Sequence, residues 1–178
     1  MMEEIDLKSK IRTVPHFPKK GVMFKDITTL LQDAHAFRYA INKMLEHFRG
    51  KKIDKIVSAE SRGFIFGSVL AHELHAGFVP LRKPGKLPYR TIREEFETEY
   101  SKDAFEIHED AIEKGENVLI VDDLLATGGT MEAAAKLVER LGGNVVGIAI
   151  LIELGFLKGR ERLKNYDLFS LINYEKEE

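Results

Sequence analysis

The sequence contains no cysteine among its 178 residues. That absence excludes a disulfide framework, a thiolate zinc site, an iron–sulfur cluster and a cysteine nucleophile, and it fits a reducing compartment. Long apolar runs are also lacking, because the longest, residues 145–154, has about half the length that a membrane-spanning helix needs. The first ten residues mix acids and bases, unlike a secretory signal. We therefore expect a cytoplasmic protein that makes no contact with a membrane.

An excess of charge of either sign is missing as well. The chain has 27 Lys plus Arg against 29 Asp plus Glu, a formal net charge of −2. Such a balance gives no overall attraction to nucleic acid, which we do not expect as a partner. The hydrophobic fraction of 44% is typical of a folded globular chain, and 178 residues suffice for one domain. We therefore expect a single domain over residues 1–178.

The apolar pattern predicts strands that alternate with helices. Predicted strands cover residues 53–59, 77–81, 118–121, 144–152 and 168–172, and predicted helices cover 34–48, 64–74 and 131–141. This order is typical of an α/β fold with a mostly parallel, twisted sheet flanked by helices. A charged segment from about 82 to 103, with two prolines and little periodicity, predicts a long flexible lid loop.

A pair of acids follows the most apolar of these strands. Asp122 and Asp123 come directly after Val118–Val121, where ligands bind in open α/β sheets. The next residues, Ala126, Thr127, Gly128, Gly129 and Thr130, lead into a predicted helix whose free N–H groups favour a phosphate. Two carboxylates would repel that phosphate unless they bind sugar hydroxyls or a metal. The pattern therefore predicts a ribose 5-phosphate site.

Other interpretations of this segment are less satisfactory. No G-x-x-x-x-G-K-[ST] loop for a nucleoside triphosphate is present, and no G-x-G-x-x-G follows a predicted strand. The acids could instead merely cap a strand or helix, and the glycines could merely form a turn. That alternative leaves unexplained why the strand, the acid pair and the small-residue loop occur in one register.

Residues 118–130 resemble the thirteen-residue phosphoribosyl pyrophosphate (PRPP) motif of the type I phosphoribosyltransferases. Further segments resemble the adenine-specific members of this family, namely 17–18, 21–28, 59–67, 81–88, 99–100, 153–154 and 157–160. The resemblance implies the type I fold, with a base-binding element at about 11–33 and the lid loop at about 82–103. It also implies transfer of the phosphoribosyl group from PRPP to adenine, giving AMP and pyrophosphate in purine salvage.

The resemblance also assigns roles to individual residues. Asp122 and Asp123 would bind the ribose, and Ala126, Thr127, Gly128, Gly129 and Thr130 the 5-phosphate. Pyrophosphate would be bound by Ser61, Arg62, Arg82, Lys83 and Lys86. Adenine would be bound by Met23, Phe24, Lys25 and Leu154, with Phe24 offering a ring for stacking. Glu99 would be the general base for the adenine ring proton.

The family resemblance further implies Mg²⁺ as the cofactor, held mainly by substrate oxygens and without direct protein ligands. A homodimer is the usual state of the family and is expected here. Two alternatives stay open from the sequence. One is a phosphoribosyltransferase for another purine, such as xanthine or hypoxanthine, and the other is a non-catalytic regulator that senses PRPP.

Overall fold

A five-stranded parallel sheet forms the centre of the computed structural model, which describes residues 4–97 and 102–177. The strands of this sheet are β3 (Lys55–Ala59), β4 (Gly77–Leu81), β7 (Asn117–Leu125), β8 (Asn144–Leu154) and β9 (Leu168–Tyr174). From one edge to the other, their order is β4-β3-β7-β8-β9. All four pairings in the sheet are parallel, which confirms the predicted fold class.

Helices cover both faces of the sheet. They are α1 (Thr28–Gln32), α2 (Ala34–His47), α3 (Gly63–Glu73) and α4 (Gly129–Arg140). The predicted helices therefore lie within a few residues of their observed positions, and two short 3₁₀ helices, Gly155–Leu157 and Gly159–Leu163, connect β8 to β9.

The apolar run of β7 serves two cores. Leu119 and Val121 belong to the core beneath α2 and α3, whereas Val118 and Ile120 belong to the core beneath α4. Successive side chains of a strand point to opposite faces, so a strand covered on both faces must be apolar at every position. The strand continues through Asp122 and Asp123 to Leu125, so the acid pair lies within the carboxyl end of β7 and does not terminate it.

A small antiparallel hairpin precedes the main sheet, formed by β1 (Arg12–Pro15) and β2 (Met23–Asp26). It belongs to the segment predicted to bind the base. Asp33 follows and caps α2, because its side chain accepts hydrogen bonds from the N–H groups of His35 and Ala36.

The second half of the predicted lid loop belongs to a second hairpin, which corrects the prediction of a long flexible loop over the whole of 82–103. Its strands are β5 (Thr91–Glu97) and β6 (Lys102–His108), and residues 98–101 lie outside the described part of the chain. Phe96 and Phe105 from the two strands are buried, with ring centroids 4.9 Å apart, and they join the core beneath α4. The sequence did not predict β5, because most of its residues are charged and Phe96 is its one buried side chain.

Among the described residues, no helix is long and apolar enough to cross a membrane.

Candidate active site

A cavity of about 510 Å³ opens at the carboxyl ends of β3 and β7. Nine of the predicted site residues line it, and they come from three separate segments of the chain. These residues are Ser61, Arg62, Lys83, Asp122, Asp123, Ala126, Thr127, Gly128 and Thr130. Adjacent parallel strands end at the same edge of a sheet, which is why residues so distant in sequence meet here.

The acid pair is almost completely buried. Asp122 is 8% exposed and Asp123 is 5% exposed, and the N–H of Asp123 donates to Oδ1 of Asp122 at 2.9 Å. Burial and the neighbouring Asp123 charge raise the pKa of Asp122 well above its ordinary value. Burial also raises the pKa of Asp123, although Arg62 opposes this shift with a 2.7 Å ion pair from Nε to Oδ2. Two desolvated carboxyl groups side by side favour ligands that donate hydrogen bonds, as the hydroxyls of a sugar do.

The loop after β7 has the geometry of a phosphate site. Gly128 caps α4 with φ 87° and ψ −6°, a left-handed conformation that side chains disfavour. No described side chain caps this twelve-residue helix, so the N–H groups of its first turn are available to an anion. The half-buried Thr127 and Thr130 line the same cavity, whereas Gly129, the first residue of α4, does not line it.

Two of the five predicted pyrophosphate residues do not line this cavity. The Arg82 guanidinium donates instead to the Lys86 carbonyl at 3.2 Å and to Oε2 of Glu60 at 3.4 Å. Lys83 does line the cavity, and its Nζ is held 2.5 Å from Oδ2 of Asp103. Arg82 and Lys86 therefore shape the loop that carries Lys83.

None of the predicted adenine residues lines the cavity. Phe24 lies under the guanidinium of Arg62, with Cζ 5.4 Å from the ring centroid. Lys25 turns away from the site into the protein, where its Nζ donates to Oγ1 of Thr13 at 3.0 Å and lies 4.2 Å from the ring centroid of Tyr174. Lys25 is buried in this position and does not line the cavity.

Met23 and Leu154 occupy separate strand ends. Met23 begins β2, opposite Pro15, and Leu154 ends β8 beside Tyr174 of β9. Both side chains are half-buried. Of the predicted adenine residues, Phe24 contacts Arg62, a side chain that lines the cavity. Glu99, the predicted general base, lies outside the described residues.

Sequence reasoning missed two acids that line the cavity. Glu60 accepts a 2.5 Å hydrogen bond from the N–H of Lys83 and also contacts Arg82, and Asp103 holds the Lys83 ammonium. Glu60 lies within the segment that resembles the adenine-specific members, which was the available signal. Asp103 had none, because its partner Lys83 is 20 residues away, in the loop that follows β4.

Comparison with known proteins agrees with this geometry. Residues 27–177 match the family model described as the phosphoribosyl transferase domain. The adenine phosphoribosyltransferase of Acidobacterium capsulatum is 58% identical over 168 residues, which cover 94% of this chain and 93% of that protein. The chain belongs to the adenine phosphoribosyltransferase family. Membership in this family explains why the acid pair is followed directly by the phosphate loop in the sequence.

Solved structures of other adenine phosphoribosyltransferases have the same fold. The crystal structure from Thermoanaerobacter pseudethanolicus is 55% identical, with a TM-score of 0.91, and the match covers 95% of this chain and 98% of that one. The enzyme from Saccharomyces cerevisiae, solved with an imino-altritol bisphosphate and adenine, is 44% identical with a TM-score of 0.86. That match covers 93% of this chain and 96% of the yeast chain.

Proposed function

We propose that this chain transfers the 5-phosphoribosyl group of PRPP to adenine, giving AMP and pyrophosphate in purine salvage. The observation that carries the proposal is the cavity in which a buried acid pair, a helix N-terminus and two cationic side chains meet. These three features match the ribose, the 5-phosphate and the pyrophosphate of one substrate, and the family relatives are named for this activity.

The ribose is oriented by the acid pair. Its 2′ and 3′ hydroxyls donate to the oxygens of Asp122 and Asp123, while its 5-phosphate accepts from the N–H groups of residues 126–130. With both ends held, C1′ faces the cavity at a fixed angle, and that positioning removes much of the entropic part of the barrier.

Departure of pyrophosphate breaks the bond from C1′ to oxygen and places negative charge on the leaving oxygens. Arg62 and Lys83 are the cationic residues of the cavity lining, which supports a role for them in stabilising this charge electrostatically. The N9 nitrogen of adenine attacks C1′ from the opposite face, which inverts the configuration there. Glu99 takes the proton that adenine loses and thereby acts as general base.

The donor set of the site suits Mg²⁺ that arrives with its substrate. The described residues contain no group of three or more His, Cys, Asp or Glu side chains that could hold a metal alone. Mg²⁺ would be held mainly by substrate oxygens, and the carboxyl oxygens of Asp122 and Asp123 could contact it through water. It would supply positive charge to the leaving group.

Adenine stacks against Phe24, beside Met23 and Leu154. The Arg62 guanidinium lies over the same ring, with Cζ 5.4 Å from its centroid. We further propose a cytoplasmic homodimer, on the basis of the cysteine-free sequence and the family resemblance.

The test is a parallel assay of nucleotide formation from PRPP and Mg²⁺ with adenine, hypoxanthine, guanine or xanthine. We expect turnover with adenine alone. The double variant Asp122→Asn/Asp123→Asn should lose that turnover, because neutral amides accept the ribose hydroxyls less strongly. A matched control is Glu109→Gln/Asp110→Asn, an adjacent pair of exposed acids, which should leave turnover unchanged.

Two results would contradict this function. Turnover with a 6-oxopurine in place of adenine would keep the ribose and phosphate sites but would show that the base site is wrong. Binding of PRPP without turnover on any base would favour the regulator that senses PRPP.

A further inference from the structure

Arg160 is the centre of a hydrogen-bond network outside the cavity. Its Nε and Nη2 donate to the two carboxyl oxygens of Glu153 at 2.9 and 2.6 Å. Its Nη1 donates to the Leu168 carbonyl at 3.0 Å, and Nη2 also contacts Oγ of Ser170 at 3.1 Å. The guanidinium thus joins the end of β8 to the start of β9 with the fork geometry that only arginine provides.

The acid at the centre of this network is buried. Glu153 is 5% exposed, and Ser170 also donates to its Oε2, at 2.6 Å. Burial alone raises the pKa of Glu153, but the hydrogen bonds from Arg160 and Ser170 outweigh that effect and leave the pKa below its ordinary value. A buried and charged carboxylate is retained only with such full compensation, so this network fixes the position of Arg160 closely.

Arg160 belongs to the short segment Gly159–Leu163, whose other end is fixed by the fully buried Leu163. The residue before Arg160 touches the phosphate loop. A Cβ atom built on Gly159 would lie 2.2 Å from the carbonyl oxygen of Ala126, and one built on Gly128 would lie 2.6 Å from the carbonyl oxygen of Gly159. The two backbones are therefore in direct contact, and each limits where the other can lie.

We propose that Arg160 is a positioning residue for the 5-phosphate, acting through Gly159 on the backbone of Ala126 and Gly128. The inference deepens the proposed function and rests on it. Arg160 does not line the cavity, so its effect on substrate is transmitted by the loop that does. By fixing Gly159, the ion pair with Glu153 sets the spacing of the N–H groups that receive the phosphate.

The residues proposed to bind pyrophosphate are held by other contacts than those of Arg160. Ser61 and Arg62 follow β3, and Lys83 follows β4 and is held by Glu60 and Asp103. None of these contacts involves Gly159–Leu163. Loosening Arg160 should therefore affect one half of the substrate and spare the other, whereas a general loss of structure would affect both.

The experiment measures, by calorimetry with Mg²⁺, the binding of ribose 5-phosphate and of inorganic pyrophosphate to the full chain. Arg160→Lys keeps the positive charge but cannot form the two parallel hydrogen bonds to the Glu153 carboxylate. We expect its affinity for ribose 5-phosphate to fall about tenfold, since displacement of a binding loop by a fraction of an ångström has effects of this order. Its affinity for pyrophosphate should stay within about twofold of the parent, which is a smaller change than the loss of one hydrogen bond would cause.

Two further variants complete the design. Ser170→Ala removes the two hydrogen bonds of the Ser170 hydroxyl but keeps the ion pair, so it should fold and should weaken ribose 5-phosphate binding in the same direction by a smaller factor. Arg49→Lys changes an exposed arginine on the turn after α2, and it should change neither affinity. In turnover, Arg160→Lys should raise KM for PRPP while KM for adenine stays unchanged.

The outcomes are distinguishable. Equal losses for both ligands, or no loss for ribose 5-phosphate in Arg160→Lys and in Ser170→Ala, would overturn the positioning role while leaving the proposed function intact. Failure of the unmodified chain to bind either ligand would overturn the proposed function, and this inference with it.

Discussion

The guanidinium of Arg62 lies between the carboxylate of Asp123 and the ring of Phe24. Its Nε is 2.7 Å from Oδ2 of Asp123, and its Cζ is 5.4 Å from the centroid of Phe24. One cation therefore contacts both a proposed ribose residue and a proposed adenine residue. The Arg62 guanidinium compensates the buried negative charge of Asp123, the carboxylate that we propose accepts a ribose hydroxyl.

Replacing Arg62 should make Asp123 harder to ionise. In Arg62→Gln the nearby positive charge is lost, so we expect the pKa of Asp123, already raised by burial, to rise further. Binding of the ribose hydroxyls by an ionised acid would then fail at a higher pH than in the parent. Carbon-13 NMR of labelled aspartate, titrated in the free protein, measures the shift directly. Arg49→Gln is the control, and equal Asp123 titration curves in Arg62→Gln and the parent would refute the prediction.

A second prediction concerns the packing of α3 on β3. A Cβ on Gly67 would lie 1.8 Å from Oγ of Ser58, a fully buried side chain whose hydroxyl has no partner in the described part of the chain. Gly67→Ala should therefore lower the free energy of unfolding by about 1–3 kcal/mol, the usual cost of overpacking. Urea unfolding measures it.

The partner variant tests the cause. Ser58→Ala removes the unpaired hydroxyl, so by itself it should be neutral or slightly stabilising. In the double variant Ser58→Ala/Gly67→Ala, part of the loss should be recovered, because the closest contact is gone. Strict additivity of the two single changes would show that Ser58 is not the obstacle.

A third prediction concerns stability in acid. Hydrogen bonds from the Thr28 N–H and from Arg12 lower the pKa of Asp26 from 3.8 to about 2. Lys10 and the Ala36 N–H do the same for Asp33, from 3.8 to about 2. A pKa that is lower in the folded state stabilises the fold above the unfolded value, and this contribution is lost as pH falls through the folded value.

Stability should therefore decline as the pH is lowered from 3.8 towards about 2. In Asp26→Asn/Asp33→Asn, the decline over this range should be shallower, because two of the responsible groups no longer titrate. Thermal unfolding at a series of pH values tests this. Parallel curves for the parent and the double variant would contradict it.

The hairpin β5–β6 should be held by its apolar contacts more than by its charges. Phe96 is 9% exposed and packs on Phe105, so Phe96→Ala should cost about 3–5 kcal/mol, as is usual for a buried phenylalanine. Glu94 pairs with the half-exposed Arg140 at 3.2 Å, and an exposed pair of this kind contributes about 1 kcal/mol or less. Hydrogen exchange of residues 91–97 should accelerate strongly in Phe96→Ala and little in Glu94→Gln. The reverse order would show that the charges hold the hairpin.

The main sheet could be predicted because its strands are covered on both faces. The apolar runs of β7 and β8 are typical of strands buried on both faces of a sheet. The Asp122–Asp123 pair and the glycine loop after it mark the edge of the sheet where ligands bind. The strand β5 could not be predicted, because Phe96 is buried by partners on β6 and α4 that are brought together only in the folded chain.

Part of the site could also be predicted. Residues of the predicted phosphate loop line the cavity, because the local sequence determines both the turn after β7 and the start of α4. The orientation of Lys25 and Arg82 depends on Tyr174 and Glu60, which are distant in sequence, and no local pattern reveals such pairings. The contact between Gly159 and Ala126 was hidden for the same reason.

The backbone contact between Gly159 and Ala126 has a consequence for synthesis of the chain. Every residue of the acid pair and the phosphate loop leaves the ribosome before Arg160 and Ser170 do. A nascent chain that ends at residue 150 therefore contains the whole PRPP motif but lacks the segment against which its loop rests. The substrate-binding shape of that loop is then acquired late, when the last strand of the sheet has been added.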